Sequence, residues 1–451
     1  MQIDQSYRYR LVNVACVGVY LFLYQLTYRE VVHPSFDYFG MGWNNPEISS
    51  MILVWLLNLT LAFAMPIRYE RPSQVFLAVQ FLIVFLPATI VCQNTSMPVM
   101  SADQLLPMLV AMYAGLCIQV AATYASGMFS KESERLTNPI APERLLFGLG
   151  VVAFLLLGWA VYVLRDIFQF SSMGGLNEQR DLLDQASIGP LLRYGLAWQS
   201  MVFLPAIIAG GLMLKGRRGF LAVLFGVVGY VILFGLTATK TALFAPLIII
   251  CFFFLLGGRV RLFIGIFALG LSLLICLPLF MKLLGVDEGI RMSYVRIVNF
   301  RILSVPHLLY VQYLDFFTYH PLTYGSHARV VSEFITYPYE REIPLIIGEY
   351  YYPGSRMNAN AGTWAQDGVA GFGIPGIVLI SCLLSAVMML LDFVARPHNS
   401  RWVGTALAIV ILFLSNTSLF TTLLTGGLGL VILFLALAKP VTWIHRRKRD
   451  D

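Results

Sequence analysis

Apolar residues recur along this chain in long runs, not in the alternating or three-to-four spacing of a half-buried element. Read with a window of about 19 residues, the runs fall near 11–28, 49–65, 74–92, 105–127, 145–164 and 191–214, then near 220–237, 242–257, 262–284, 371–394, 402–420 and 424–438. Each suits an α-helix crossing a hydrocarbon core of about 30 Å, with tilt or flanking anchors absorbing the difference. Pro66, Pro87, Pro205, Pro246, Pro278 and Pro375 lie in or at the ends of these runs. A helix in lipid tolerates such a break where neighbours satisfy the freed carbonyls. The pattern predicts an all-α, polytopic membrane protein of about twelve transmembrane helices. Nine fall in 1–285 and three in 371–451, with a long polar loop, 286–370, between spans nine and ten.

Composition agrees: 58% of residues are apolar and 12% charged, about half the charge of a soluble domain. A net charge of +7 could suggest nucleic acid, but the placement of Lys and Arg explains it without that partner. With the N-terminus inside, the inner loops and tail carry 19 of the 31 cations, against five (Arg29, Arg165, Arg180, Arg193 and Lys240) in the short outer loops. Short loops rich in positive charge stay in the cytoplasm, so both termini are expected there and 286–370 outside. The basic tail 445–449 can also meet anionic headgroups of the bilayer. The first run lacks a small-x-small cleavage site before Arg29 and reads as a retained helix. All six cysteines sit in or beside apolar runs, so neither disulfides nor a thiolate metal site holds the long loop.

That loop carries the chemistry. It holds ten of the 22 tyrosines and three of the six histidines. A connection of this length is usually functional or disordered, and this one is too aromatic for disorder. Tyr and Trp offer flat faces that suit sugar rings, and amide, carboxylate and guanidinium groups bond hydroxyls. Tyr350, Tyr351, Arg356, Asn358, Asn360, Trp364 and Asp367 therefore read as a glycan site, against the plainer reading of the tyrosines as an interfacial aromatic belt. Residues 289–314 carry Arg291, Arg296 and Arg301 with no acid among them. Lys240, on a tight outer turn, and Arg193 are further outer-face cations, able either to snorkel or to serve a site.

At these residues the chain resembles the Wzy-type oligosaccharide repeat-unit polymerases, or O-antigen polymerases, of Gram-negative inner membranes. The resemblance spans the whole topology and is most specific in the TATKTALF run at 237–244 and from Tyr313 through His320-Pro321 to the stretch Asn358 to Gly376. It implies a metal-independent glycosyltransferase at the periplasmic face. The growing glycan on undecaprenyl diphosphate would pass to a hydroxyl of the next lipid-linked repeat unit, without a nucleotide sugar or other cofactor. A chain-length regulator and a flippase of the same pathway are possible partners. The leaving diphosphate needs fixed cations, drawn from Lys240, Arg193, Arg291, Arg296 and Arg301. The attacking hydroxyl needs a base, drawn from His327, Glu333 and His320.

The sequence lacks a P-loop, a dinucleotide fingerprint and a zinc-protease ligand spacing. Three alternatives stay open. A transporter or flippase would explain the span number but not the long polar loop. An O-antigen ligase is disfavoured because no histidine has the ligase-like His-x10-Gly spacing. A mannosyltransferase-like enzyme would use Glu30 or Asp37 in the first outer loop.

Overall fold

A computed structural model describes residues 2–98, 101–128, 142–170, 175–186, 188–214, 216–257, 261–355 and 357–438. No β-strand occurs among them, and the chain is a multi-pass helical membrane protein. Nine of the described helices are long and apolar enough to cross a bilayer: Gln5–Phe39, Pro72–Asn94, Asp103–Met128, Leu146–Val163, Pro190–Met213, Arg217–Thr237, Phe263–Leu283, Ala365–Ala395 and Leu419–Leu437. The other three expected runs are helical but shorter. Ile48–Ala64 stops before Pro66, and Lys240–Leu256 starts just after Ala238, which is held at φ 50°. The 402–420 run divides into Ser400–Ala406 and Ala408–Leu414, and Ser418 then caps a new helix by accepting from the Thr421 amide.

Pro72–Asn94 is the centre of the bundle and is enclosed on every side. Its path is set by proline. A proline ring lacks an N–H and clashes with the carbonyl four residues back. A π-turn widens the helix there, and π-helical segments at Tyr28–Val32, Gln80–Phe85 and Gln199–Phe203 each end two residues before Pro34, Pro87 or Pro205. Pro87 frees the carbonyls of Leu82 and Ile83. The Tyr20 hydroxyl donates to the first at 2.7 Å and His307 Nε2 to the second at 3.2 Å. Pro205 frees that of Ser200, which accepts from the Tyr230 hydroxyl at 2.6 Å.

The segment expected as an outer loop is not uniformly external. Glu288–Val295 and the π-helical Arg296–Ile302 run back along Phe263–Leu283, with Asn299 donating to the Ile275 carbonyl at 2.9 Å. Ile275 lies about 12 Å below the Leu283 end by helical rise. After a junction where the Tyr24 hydroxyl bonds the Leu303 carbonyl, Val305–Tyr319 rises through the core with nearly all its side chains buried. This is a helical hairpin dipping into the bundle.

At the opposite end a carboxylate ties three helices together. Asp392 is fully buried; its oxygens accept from the Ser73 amide (3.0 Å), the Ser73 hydroxyl (2.6 Å) and the Ser126 hydroxyl (2.7 Å), and Arg71 stands 3.5 Å away. Four donors on one buried charge are what keep such a group tolerable.

Tyr20→Phe and Tyr230→Phe each strip the partner from a carbonyl that proline has already freed. Each is expected to cost about 1–3 kcal/mol of unfolding free energy, read by denaturant titration of the purified protein in detergent. Tyr162→Phe, at an exposed position, should change little; equal stability of all three would refute the role given to these hydroxyls.

Candidate functional site

The face opposite Asp392 is organised by a sharp bend. Within Ala365–Ala395, Phe372 and Gly373 leave helical geometry, Gly373 at φ 64°, so 365–371 folds against the remainder. Gly368 and Gly376 meet backbone to backbone: a Cβ on Gly368 would lie 2.2 Å from the Gly376 carbonyl oxygen, and one on Gly376 only 1.9 Å from that of Gly368. The bend also frees carbonyls. Ala370 accepts from the Thr323 amide at 2.9 Å, and Gly371 from the Tyr324 amide at 3.1 Å.

This stitching brings His327 and Asp367 together, with His327 Nε2 3.6 Å from Asp367 Oδ1. The other carboxylate oxygen accepts from the Leu419 amide at 2.9 Å, at the start of a helix. The Thr323 hydroxyl donates to the Ala370 carbonyl at 2.9 Å, so its 2.8 Å contact with His327 Nδ1 has the ring donating. Nδ1 is thereby occupied, while Nε2 is buried, faces Asp367 and has no hydrogen-bond partner among the described residues. Thr323–His327–Asp367 has the connectivity of a nucleophile, base and orienter, yet Thr323 has no exposed surface. Its geometry is that of a clasp holding the bend closed.

His320 is placed differently. Its ring stacks on Phe316 at 3.9 Å, and Nδ1 donates to the Phe316 carbonyl at 2.8 Å. That bond fixes the tautomer with a lone pair on Nε2, the form a general base requires. The exposed Tyr350 ring stands edge-on to both Phe316 and His320, at 5.4 and 5.5 Å, and Tyr339 packs on Phe316 as well. Glu333 is exposed in a separate turn.

The other candidate glycan residues divide. Asn358 and Asn360 are exposed on either side of buried Ala359, whose amide bonds the Pro344 carbonyl; two such residues share one face of an extended segment. Tyr351 is committed to Asp315 and the Gln312 carbonyl, and Trp364 is buried with its indole donating to Gln80 at 3.0 Å. Asp367 is buried in the clasp. Arg356 lies outside the described residues.

The cations divide as well. Arg291 is held by Glu288 through two nitrogens, at 2.9 and 2.5 Å. Arg296 and Arg193 are exposed and Lys240 half-buried, none with an ion pair among the described residues. Arg301 retains exposed surface and has no ion pair among the described residues. Arg180 donates to the Ala238 carbonyl at 3.2 and 2.8 Å, two residues before Lys240. Sequence reasoning counted Arg180 only as an outer-loop charge, because nothing along the chain relates residues 180 and 238.

Among the described residues no group of three or more His, Cys, Asp or Glu is arranged to hold a metal ion. Comparison with protein-family models, with curated proteins and with solved structures finds no match.

Because the two arms of the bend meet backbone to backbone at Gly368 and Gly376, Gly368→Ala and Gly376→Ala are expected to sharply reduce the yield of monodisperse protein on size-exclusion chromatography. Gly150→Ala, with nothing within 4 Å of the added carbon, should not. Normal yield from both bend variants would show that the arms separate freely.

Proposed function

We propose that the chain is a membrane glycosyltransferase of the bacterial inner membrane, one that joins undecaprenyl-diphosphate-linked oligosaccharide units. The observation that carries this reading is the placement of His320, whose ring stacks on Phe316 with Nδ1 held by the Phe316 carbonyl, beside the exposed Tyr350 ring, so that a base stands next to an aromatic face suited to a sugar. A diphosphate leaving group at the membrane surface calls for cations, and Arg180, Arg296, Arg301 and Lys240 have no ion pair among the described residues. Arg301 belongs to the same helical hairpin that ends at His320, and guanidinium forks match phosphate oxygens.

In the reaction, a hydroxyl of the incoming unit attacks the anomeric carbon of the growing chain. The bond from that carbon to the phosphate oxygen breaks, and the electron pair leaves with undecaprenyl diphosphate. His320 Nε2 takes the hydroxyl proton, while Arg180, Arg301, Arg296 and Lys240 balance the charge gathering on the leaving group. Tyr350, Asn358 and Asn360 supply a stacking face and hydrogen bonds to the sugars. The face bearing His320 is then periplasmic and both termini are cytoplasmic, in keeping with the Lys and Arg bias.

The test is incubation of purified protein with a lipid-linked repeat unit and no nucleotide sugar, followed by electrophoresis of the glycan. A ladder is expected. Loss of a charge-assisted bond to phosphate is worth about 1.5–3 kcal/mol, so Arg180→Ala and Arg301→Ala should each slow ladder growth roughly ten- to hundredfold. Arg291→Ala, whose charge is already paired, should slow it less, and His320→Ala should lower the rate at unchanged protein abundance. No ladder from the wild-type protein, with uptake of the lipid-linked unit into vesicles instead, would establish a transporter.

A further inference from the structure

On the Asp392 side of the bundle, three arginines from distant parts of the chain converge on one open cavity of about 430 Å³. Arg10 comes from the first helix, Arg68 from the connection after Ile48–Ala64, and Arg261 from the turn before Phe263–Leu283. Gln5, Ser6, Gln74 and Tyr124 complete the polar wall, and no acidic side chain among the described residues lines it. Asp392 cannot neutralise it, since that carboxylate is already occupied by Arg71, Ser73 and Ser126.

The three arginines are held in different ways. Arg10 caps the end of Ile48–Ala64, donating to the Phe63 and Met65 carbonyls, and reaches the Tyr124 hydroxyl at 3.4 Å. Arg261 lies over the Tyr9 ring at 5.4 Å, a contact that fixes the guanidinium while leaving its charge unpaired. Arg68 is exposed and has no hydrogen bond or ion pair among the described residues. Gln74 accepts from the Glu70 and Arg71 amides through its oxygen, at 2.8 and 3.0 Å, so its amide nitrogen remains a donor toward the cavity. A cation that merely marks topology snorkels singly into solvent. Three that meet around a cavity of ligand size, two of them oriented by neighbours, form a preorganised anion receptor.

We propose that this cavity binds a phosphate-bearing anion, gripped by Arg68 and Arg261 against the fixed wall of Arg10. Planar guanidinium groups with several N–H donors match phosphate oxygens in pairs, and the cavity is roomy enough for more than a single small ion. A phospholipid headgroup and a soluble polyphosphate share this chemistry. The site is at the opposite end of the bundle from His320 and does not depend on the glycosyltransferase reading.

Inorganic pyrophosphate is the probe, titrated calorimetrically into the full chain in phosphatidylcholine nanodiscs at low ionic strength. Saturable binding is expected, weakened at least tenfold by the double substitution Arg68→Gln, Arg261→Gln. It should be unchanged by Arg217→Gln, an exposed arginine outside the cavity. Arg10 is left intact because it also caps a helix, and circular dichroism and monodispersity check that the double variant folds. Repeating the titration with one-third phosphatidic acid separates the sources. Competition by the acidic lipid assigns the cavity to a headgroup, and undiminished affinity assigns it to a soluble phosphate compound. Absence of saturable binding to the wild-type chain, wild-type affinity in the folded double variant, or equal loss in Arg217→Gln would each overturn the proposal.

Discussion

A carbonyl freed by proline inside a membrane bundle must find a donor from another helix, and much of the architecture answers that requirement. In hydrocarbon no water supplies the missing bond. Leu82, Ile83 and Ser200 therefore receive theirs from Tyr20, His307 and Tyr230. Each bond sets the rotation and depth of the donating helix against Pro72–Asn94 or Pro190–Met213. The hairpin that carries Arg301 is located by the same means, the Tyr294 hydroxyl covering the Leu274 carbonyl that Pro278 frees. The outer bend repeats the solution with backbone amides, Thr323 and Tyr324 covering Ala370 and Gly371. Prolines that read as interruptions along the chain serve as addresses between helices.

The apolar runs were legible because lipid rewards uniform hydrophobicity over a fixed length, and all twelve are helical. Their exact extents were not, since Ser418 and the strained Ala238 are local backbone matters that a wide window averages away. The greater shortfall concerned 286–370. Val305–Tyr319 carries His307, Gln312 and several tyrosines, so it reads as polar, yet it is among the most buried helices in the protein. A hydropathy window estimates contact with lipid; a helix whose polar groups bond inside the protein escapes it.

The candidate site was legible by residue type and not by geometry. His320, Tyr350, Asn358 and Asn360 keep the exposure that a site needs, whereas Trp364, Tyr351 and Asp367 are taken up by Gln80, Asp315 and Leu419. Aromatic and acidic residues that could hold a sugar could equally hold the fold together, and only their partners distinguish the two uses. Asp392 went unremarked for the same reason, since its partners Arg71, Ser73 and Ser126 are hundreds of positions away.

The enclosure of Pro72–Asn94 has a consequence for biogenesis. This helix is among the most apolar in the chain although it meets no lipid in the folded protein. Its hydrophobicity therefore serves an earlier moment, when the nascent segment leaves the insertion machinery and stands in the bilayer before its later neighbours exist. Tyr20 is made before it, but His307 and the helix Ala365–Ala395 follow more than 200 residues later. Through that interval the Ile83 carbonyl lies in the membrane without the donor that later covers it. The segment must be greasy enough to stay and unfinished enough to be wrapped, so a substitution there can fail during synthesis while leaving the finished structure's contacts untouched.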